Sequence, residues 1–304
     1  MNVANKLIKY LNNSTYRFLI NSSVLGLYSV MGDEKYLFKK YFSLLGKKLD
    51  FNNATTFNEK LQWLKLYDRK PVYTTMVDKY RVKEYVSAAI GKEYVIPTIG
   101  VWDNPDDIDF DRLPNSFVLK CNHNSGLGMC ICSDKSTLNI SKVKKALKKG
   151  LKQDYYLTGR EWPYKNVERK IIAEKYMEAE SGQLIDYKVH CFNGEPRFIL
   201  VCKDRFKDSG LTEDFFTTEW ELMPVKRPDI NQSKTPIDRP DQLEEILSLA
   251  SKLSEGIPFI RVDFYIINGK VYFSELTFFP ASGFEKFEPE EWDGIFGEWL
   301  HLPQ

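Results

Sequence analysis

The sequence predicts an α+β protein in which antiparallel β-hairpins alternate with amphipathic helices. Asn-Gly pairs at 193–194 and 268–269 each join two strand-like runs, and Asn-Gly favours the type I′ turn of a tight hairpin because both residues take positive φ. Helical periodicity occurs before the first of these hairpins, over 140–153, and between the two, over 241–254. A length of 304 residues favours two lobes or one large α/β domain.

The composition argues against several classes of protein. The 43 Lys and Arg residues nearly balance the 42 Asp and Glu residues, so we expect a small-molecule partner and no nucleic acid. The five cysteines lie in strand-like segments without CxxC pairs, which favours reduced thiols in a cytoplasmic protein over disulfides or a zinc site. No apolar run approaches the roughly 18 residues of a transmembrane helix. The oligomeric state stays open.

Residues 1–55 predict a helical N-terminal cap. Short helical patterns alternate with Asn and Ser breaks, and Leu37, Tyr41 and Leu44 fall on one helical face. Packing on the following domain is the expected role of these helices. Peripheral contact of this aromatic and basic region with the inner face of a membrane stays open.

Two further helices are predicted before the first strand. Thr56 followed by Glu59 forms a capping box, in which the Thr hydroxyl and the Glu carboxylate satisfy free N–H groups at a helix start. A second helix is predicted over 76–90, with Lys79 and Lys83 one turn apart. Lysines at this spacing ordinarily form a solvated helix face.

The acidic stretch 103–111 contains Asp-x-Asp triplets, a pattern with which many glycosyltransferases bind a metal and a nucleotide sugar. Here the triplets lie among Asn and Pro rather than at the end of an apolar strand, which favours a solvated loop. Asp107 and Asp109 are the only candidates for a nucleotide-sugar site.

A hairpin over 117–132 is the first candidate for phosphate binding. The strand FVLK ends at Lys120, and CNHNSGLGM leads into the second strand. Backbone N–H groups of a Gly/Ser/Asn turn can surround phosphate oxygens, and Lys120 adds positive charge. The turn is not a P-loop, because no GK[ST] leads into a helix. A plain Gly-containing hairpin explains this stretch equally well.

The stretch 186–192, DYKVHCF, alternates strictly, so that Asp186, Lys188, His190 and Phe192 share one face of a strand. A row of Asp, Lys and His is unusual in a core and favours a ligand-binding floor, although a single His is more often structural. The polar, Pro-containing stretch that follows the next strand, 211–239, predicts a loop or lid.

The hairpin 257–284 carries the candidate metal site. Asp263 and Glu275 stand at similar distances from the Asn-Gly turn, so the hairpin brings them close together. Two buried like charges repel unless a cation or a proton lies between them, and Mg²⁺ is commonly held by one or two carboxylates together with substrate phosphates. From spacing alone, ordinary strand acids paired with Arg261 or Lys270 are an equally good interpretation.

Five motifs in this order resemble the ATP-grasp enzymes, and more specifically the TupA-like (teichuronopeptide biosynthesis) branch encoded with bacterial surface-polysaccharide genes. They are Lys79 in a DK-containing helix, Lys120 before the Gly/Ser hairpin, IAEKYM, an Asp-x-Lys strand, and Arg-x-Asp-Phe followed by Glu-Leu-Thr. The resemblance covers about residues 56–302. It implies an α+β, ATP-grasp fold, in which two lobes with mainly antiparallel sheets hold ATP between them.

The resemblance also implies a division of the chain into four parts. They are a helical cap over 1–55, an N-terminal α/β segment of the ATP-grasp module over 56–110, a small lobe with the phosphate loop over 111–175, and a large lobe with the metal-binding hairpin over 176–304. The substrate-side α/β domain usual in this superfamily is missing from the N-terminal region, so the place of the acceptor stays open.

By the same resemblance, two groups of residues would bind ATP. The phosphates would contact Lys79, Lys120 and a loop of Asn124, Ser125, Gly126 and Gly128. The adenine would lie against Glu174, Lys175, Tyr176 and Met177, and His190 would also serve the nucleotide.

A third group of residues would bind Mg²⁺ and promote the reaction. Asp263, Glu275 and Thr277 would hold the metal, while Lys188, Arg205 and Arg261 would be catalytic cations at the γ-phosphate or the substrate carboxylate. Thr277 stands where many ATP-grasp enzymes have Asn, so that a second Mg²⁺ stays open.

The implied activity is ATP- and Mg²⁺-dependent carboxylate–amine ligation through an acyl phosphate, joining an amino acid to an acidic sugar in capsule or surface-polysaccharide biosynthesis. Such a reaction needs no protein nucleophile, and the sequence offers no convincing Ser/His/Asp arrangement. Three alternatives stay open: a glycosyltransferase of a polysaccharide locus, an ATP-dependent kinase acting on a sugar or polyol hydroxyl, and a non-catalytic nucleotide-binding module.

Overall fold

The computed structural model describes residues 11–12, 17, 27–178, 184–204 and 210–303. These described residues form eight α-helices and two antiparallel sheets. The helices are α1 (Asp33–Leu45), α2 (Phe57–Tyr67), α3 (Val72–Val77), α4 (Val82–Ile90), α5 (Ile140–Leu151), α6 (Tyr155–Gly159), α7 (Leu243–Ser254) and α8 (Trp292–Trp299). The strands are β1 (Thr98–Trp102), β2 (Phe117–Cys121), β3 (Cys130–Cys132), β4 (Ile171–Lys175), β5 (Asp186–Phe192), β6 (Glu195–Lys203), β7 (Thr212–Thr217), β8 (Phe259–Ile267) and β9 (Lys270–Thr277).

The smaller sheet has the strand order β1-β4-β2-β3. Phe117 and Leu119 alternate inward on β2 and are fully buried beneath α5, which contributes Val143 and Leu147 to the same core. The amphipathic pattern of α5 therefore places its lysine face toward solvent. This packing fixes the β2–β3 hairpin whose turn contains the Gly/Ser stretch.

The larger sheet has the strand order β7-β6-β5-β8-β9. Helix α7 covers one face, where the Cys191 thiol lies 3.9 Å from the Ala250 carbonyl oxygen. The opposite face is apolar at one end, where Phe57 of α2 and Phe296 of α8 pack with Phe192 and Phe198. Strand β5 lies at the centre of this sheet, so all its residues are buried.

Two predicted elements are wrong in part. The predicted helix over 76–90 breaks at Asp78, whose carboxylate accepts from the N–H groups of Tyr80 (2.9 Å) and Arg81 (3.3 Å), because an aspartate side chain competes with the helix for backbone donors. The predicted loop over 211–239 begins with strand β7, which pairs with β6. Glu213 on this strand is buried because it pairs with Arg227. A buried acid breaks the alternation of apolar and polar residues by which a strand is predicted from sequence.

The predicted capping box is confirmed, since the Thr56 hydroxyl accepts from the Glu59 N–H and the Glu59 carboxylate accepts from the Thr56 N–H. On α1, Leu37 and Tyr41 are buried, so this helix packs on the rest of the protein. The remainder of the predicted cap lies mostly outside the described residues, and the division at residues 55, 110 and 175 stays a prediction. No helix in the described part of the chain is long and apolar enough to cross a membrane.

Candidate active site

The polar end of the larger sheet gathers the candidate residues in cross-strand rows. Strand pairing places Lys188 opposite Asp263 and His190 opposite Arg261, and it places Asp263 opposite Glu275 and Arg261 opposite Thr277. Side chains that are directly opposite in an antiparallel pair project from the same face. The rows therefore form one continuous floor across β5, β8 and β9.

A β-bulge makes the pairing of the two carboxylates possible. Glu275 lies one residue farther from the Asn-Gly turn than Asp263, and the register shifts between Asp263 and Phe264, which leaves Ser274 as the extra residue. A bulge of this kind re-aims the side chains beyond it. Without the bulge, Asp263 would oppose Ser274, and Glu275 would point to the other face of the sheet.

Asp263 is the buried centre of the site. Its carboxylate accepts from the Arg261 Nε at 2.6 Å, from an Arg261 terminal nitrogen at 2.6 Å and from the Lys188 Nζ at 2.7 Å. Burial alone would raise the pKa of Asp263, but Arg261 and Lys188 outweigh it, and the pKa lies below its ordinary value. The carboxylate is therefore ionised at neutral pH.

The same contacts keep both cations charged. Burial lowers the pKa of Lys188 and Arg261, but the Asp263 carboxylate outweighs it, so that both pKa values lie above their ordinary levels. Lys188 also lies 3.8 Å from the Asp186 carboxylate. Two positive charges are thus held at the floor of the site, each paired with a carboxylate.

Glu275 stands at the more open side of this cluster. Its Oε1 accepts from Arg261 at 3.0 Å and from the Thr277 hydroxyl at 3.2 Å, and its Oε2 lies 4.0 Å from the Lys79 Nζ. Its side chain is 35% exposed, against 1% for Asp263. Glu275 is therefore the carboxylate that an incoming cation or ligand reaches first.

The donor set suits a hard divalent cation. Oxygens of Asp263, Glu275 and Thr277 all lie within 3.1 Å of one terminal nitrogen of Arg261, so they already surround a positive charge. Carboxylate and hydroxyl oxygens are the ligands that Mg²⁺ prefers, with substrate phosphates completing the coordination. No group of three or more His, Cys, Asp or Glu side chains suited to a metal occurs among the described residues.

Lys79 reaches this site from the turn between α3 and α4. The Lys79 N–H donates to the Asn122 carbonyl oxygen at 3.1 Å, and the Asn122 amide donates to the Asp78 carboxylate at 2.9 Å. Burial lowers the pKa of Lys79, and the Glu275 carboxylate opposes that effect. The break in the predicted helix thus ties Lys79 to the end of β2.

Two lysines share the Glu174 carboxylate on β4. The Lys83 Nζ lies 2.6 Å from Glu174 Oε1, and the Lys120 Nζ lies 2.5 Å from Oε2. Burial would raise the pKa of Glu174, but the two lysines outweigh it and the pKa is lowered. Sequence reasoning missed Lys83, for which the only signal was its one-turn spacing from Lys79.

The predicted adenine-binding segment borders an open cleft. Lys175, Tyr176 and Met177 face Ile267 and Tyr272 of the β8–β9 hairpin across this cleft. The Lys175 N–H donates to the Pro97 carbonyl oxygen at 3.0 Å. The segment therefore connects the two sheets and forms one wall of a groove between them.

The predicted phosphate loop is the turn of the β2–β3 hairpin. Asn124 is buried and its amide donates to the Gly150 carbonyl oxygen at 3.3 Å, while Ser125 and Gly126 are exposed. Gly126 and Gly128 take φ values of 79° and 78°, a region that favours glycine. At Gly128 an added Cβ would lie 3.0 Å from the Cys121 sulfur and 3.1 Å from the Gly150 Cα.

His190 lies opposite Arg261 in the floor of the site, but its ring contacts its own neighbours. His190 is buried, stacks on Phe198 at 4.1 Å and donates through Nδ1 to the Lys188 carbonyl oxygen at 3.1 Å. Burial, with a smaller effect of Arg261, holds its pKa well below the ordinary value, so the ring is neutral. Arg205 lies outside the described residues, and its predicted role stays a prediction.

Sequence reasoning did not single out two tyrosines on the segment between α5 and β4. The rings of Tyr155 and Tyr164 meet edge to face at 4.7 Å. Burial raises the pKa of both phenols, with further contributions from the charges of Glu161 and Glu275. No local pattern predicts this pair of rings, because it depends on the fold of the segment between α5 and β4.

The lysines gathered around Glu174 and the carboxylates paired on the larger sheet are the kinds of group that bind phosphates and a divalent cation. The model of the TupA-like ATP-grasp family matches residues 59–301. The chain belongs to this family and has the ATP-grasp fold, as the sequence motifs predicted. The match begins after α1, so this helix lies outside it.

Several solved ATP-grasp structures are similar to this chain at low sequence identity. D-alanine–D-alanine ligase from Bacillus anthracis, complexed with ATP, is 17% identical with a TM-score of 0.39, over 67% of this chain and 53% of that one. The Helicobacter pylori enzyme is 14% identical with a TM-score of 0.43, over 82% and 70%. The ligase PsnB with a minimal precursor, Mg and ADP is 10% identical with a TM-score of 0.40, over 72% and 57%. This chain thus spans about half the length of the Bacillus ligase, and no curated protein matches it.

Proposed function

We propose that this protein is an ATP- and Mg²⁺-dependent carboxylate–amine ligase that acts through an acyl phosphate. The observation that carries the proposal is the pairing of Asp263 with Glu275 across the β8–β9 hairpin, with Arg261 between them and Lys79 alongside. Membership of the TupA-like ATP-grasp family supports the same reaction class.

The nucleotide would lie in the groove between the sheets. The adenine would pack between Tyr176 and Tyr272, which border the cleft, and Lys79 and Lys120 would contact the phosphates. The exposed backbone of Ser125 and Gly126 would close over them, since free N–H groups of a glycine turn bind phosphate oxygens. Lys83 would share the Glu174 carboxylate with Lys120. Part of the positive charge of Lys120 would then remain available to the phosphates.

At the reacting end, Asp263, Glu275 and Thr277 would hold Mg²⁺, which supplies charge neutralisation at the phosphates. Arg261 would then exchange its contact with Glu275 for the oxygens of the transferred phosphoryl group, while it keeps its two bonds to the buried Asp263. Lys188 would hold Asp263 in place from β5. Cations that are already in position stabilise the charge that develops during phosphoryl transfer, because they do not need to reorganise.

The substrate pair that the family resemblance suggests is an acidic sugar and an amino acid. The sugar carboxylate would attack the γ-phosphate, which breaks the bond to the leaving ADP and forms an acyl phosphate. The amine would then displace inorganic phosphate and lose a proton, which gives the amide. Both steps balance without a protein nucleophile, and we infer a role in assembly of a bacterial surface polysaccharide.

The first test is thermal unfolding of the wild type and of Glu275→Ala with Mg²⁺ plus ATP and with Mg²⁺ plus UDP-sugars. A ligand at 100 times its Kd stabilises a protein by about 2.7 kcal/mol, so we expect a higher Tm of the wild type with Mg·ATP and a smaller increase in Glu275→Ala. The matched control is Asp107→Ala/Asp109→Ala, because both carboxylates are exposed and Asp109 pairs with Arg112 at 3.3 Å. A response to UDP-sugars that this control abolishes would instead support a glycosyltransferase.

Product analysis separates ligation from phosphorylation. With uronic acid, amino acid and Mg·ATP, a ligase releases free phosphate and an amide whose mass is the sum of both substrates minus water. A kinase leaves the phosphoryl group on the acceptor, which adds the mass of HPO₃. Detection of phosphorylated acceptor without amide would overturn the ligase proposal in favour of the kinase, and nucleotide binding without any turnover would favour a binding module.

A further inference from the structure

Helix α5 carries a strongly basic surface. The stretch 135–153 contains seven lysines and no acidic residue, although the whole chain has a net charge of only +1. Positive charge is therefore concentrated on this stretch, and the rest of the chain is net negative. Val143 and Leu147 bury one face of the helix in the core of the smaller sheet, so the lysines project from its other faces.

Four of these lysines form a row along the outer face of α5. They follow one another at intervals of three, four and three residues, which keeps successive side chains on one helical face. The members of this lysine row are all exposed, and they are Lys142, Lys145, Lys149 and Lys152. At a rise of about 1.5 Å per residue, the row is about 15 Å long. It lies on the side of the helix opposite Val143 and Leu147.

Among the described residues, no carboxylate forms an ion pair with the lysine row. Asp106, on the neighbouring 3₁₀ turn Pro105–Asp107, lies 2.6 Å from the amino group of Lys148 and 3.8 Å from that of Lys144. Asp154, which follows the helix, lies 3.7 Å from Arg169. These acids are therefore paired with other cations, and the charges of the lysine row are available to an external anion.

The C-terminal end of the lysine row lies beside the phosphate loop. The Gly150 carbonyl oxygen, between the last two lysines of the row, accepts from the Asn124 amide at 3.3 Å. An added Cβ at Gly150 would lie 2.8 Å from the Leu127 carbonyl oxygen and 3.0 Å from the Gly128 Cα. The helix and the loop are thus in direct contact, so a long anion bound along the row would extend to the loop.

The shape of the lysine row discriminates among anionic partners. A single sugar acid has one carboxylate and cannot contact four lysines spread over this length. A helix that binds a bilayer inserts its apolar face into the lipid, but the apolar face of α5 is buried in the protein. Single-stranded nucleic acids are bound with aromatic side chains that stack on the bases, and the stretch 135–153 contains no aromatic residue. A linear polymer with regularly spaced carboxylates matches both the charge and the geometry.

We propose that the lysine row binds a linear polyuronate and that this polymer is the carboxylate substrate. This inference rests on the proposed ligase function and deepens it, because the reacting sugar acid becomes one unit of an acidic polymer. Carboxylates of successive sugar units pair with successive lysines, while a unit beyond the C-terminal end of the row reaches the phosphate loop. Exposed ion pairs are individually weak, so the affinity should rise with the length of the polymer.

Fluorescence anisotropy of an end-labelled galacturonate decamer tests this assignment at low ionic strength. We expect the decamer to bind the wild type much more tightly than monomeric D-galacturonate, and its affinity to fall as salt is added. Lys145→Gln/Lys149→Gln should weaken binding of the decamer about fivefold, through the loss of two exposed ion pairs. Lys145→Arg/Lys149→Arg keeps both charges and should bind like the wild type.

The matched control is Lys144→Gln/Lys148→Gln. It removes the same charge from the same helix, but from the two lysines near Asp106, and it should weaken binding by less than about twofold. Equal losses in the two glutamine variants, or equal affinity for decamer and monomer, would overturn the inference. Tighter binding of oligothymidylate or of phosphatidylglycerol vesicles than of the decamer would overturn it in favour of a nucleic acid or a membrane.

Titration with Mg²⁺ and a non-hydrolysable ATP analogue separates this inference from the proposed function. A wild type that binds the analogue but not the decamer would refute the polyuronate surface alone. A wild type that binds the decamer but not the analogue would refute the proposed ligase, and with it the role of the polymer as a substrate.

Discussion

Asp263 and Glu275 lie directly opposite each other on β8 and β9, and one terminal nitrogen of Arg261 contacts both carboxylates, at 2.6 and 3.0 Å. The two acids differ in their surroundings. Asp263 is buried and has three charged hydrogen bonds, whereas Glu275 is partly exposed. Asp263 therefore holds the cations of the site in place, whereas Glu275 is able to exchange its partners.

Replacement of either acid by its amide should separate these two roles. Asp263→Asn removes the shared buried partner of Arg261 and Lys188 and leaves them only Glu275 at 3.0 Å and Asp186 at 3.8 Å, so we expect a loss of about 3 kcal/mol in the free energy of unfolding. Glu275→Gln should cost about 1 kcal/mol or less, because its partner Arg261 keeps Asp263. Urea unfolding without nucleotide measures both changes. Glu195→Gln, an exposed acid paired with Arg197 at 2.8 Å, is the control, and equal losses for Asp263 and Glu275 would contradict the distinction.

Acid unfolding should depend on Asp263. Because its pKa is lowered in the folded protein, the unfolded state binds more protons near and below pH 4, and the stability that this group contributes is lost as pH falls through that range. The wild type should thus lose free energy of unfolding more steeply than Asp263→Asn between about pH 5 and pH 2. Chemical unfolding at a series of pH values measures both slopes. Parallel slopes would show that Asp263 is not the titrating group.

Lys83 should govern the availability of Lys120. In Lys83→Met the Glu174 carboxylate has Lys120 as its remaining lysine partner, so the pair tightens and ATP affinity should fall several-fold. Glu174→Gln leaves two half-buried lysines facing each other and should cost about 3 kcal/mol in stability. Titration with an ATP analogue and urea unfolding give the two quantities. Lys145→Met, an exposed lysine on α5, is the control, and unchanged ATP affinity in Lys83→Met would refute the proposed sharing.

Gly126 and Gly128 offer a matched test of the phosphate loop. Both have positive φ, which costs a residue with a Cβ about 1–2 kcal/mol. Gly126 faces open space, whereas a Cβ at Gly128 meets Cys121 and Gly150. Gly126→Ala should therefore lower the free energy of unfolding only by the backbone cost, and it should weaken nucleotide binding. Gly128→Ala should lower the free energy of unfolding distinctly more, because its Cβ also meets these neighbours. Thermal unfolding and nucleotide titration distinguish the two variants. Equal losses of stability would show that only the positive φ matters and that the contacts of the added Cβ at Gly128 do not.

Much of this fold follows from local patterns. The Asn-Gly turns predicted both hairpins of the larger sheet, strict alternation predicted the shared face of Asp186, Lys188 and His190, and Thr56 with Glu59 predicted the start of α2. Such features depend on residues within one turn or one strand. Strand β7 escaped because its acidic Glu213 pairs with Arg227 of a later segment. The break at Asp78 escaped because a helical pattern does not show that this side chain accepts from two local N–H groups and from the distant Asn122.

The sequence by itself determined the hairpins at both Asn-Gly turns, the start of α2, the shared face of β5 and the presence of two acids near one hairpin turn. Only the tertiary structure decided that β5 lies beside β8, so that Lys188 reaches Asp263, and that a bulge at Ser274 turns Glu275 to the same face. It also decided that Lys83 and Lys120 share Glu174. Periodicity specifies the face on which a side chain lies, but the neighbour across that face depends on strand order and long-range packing.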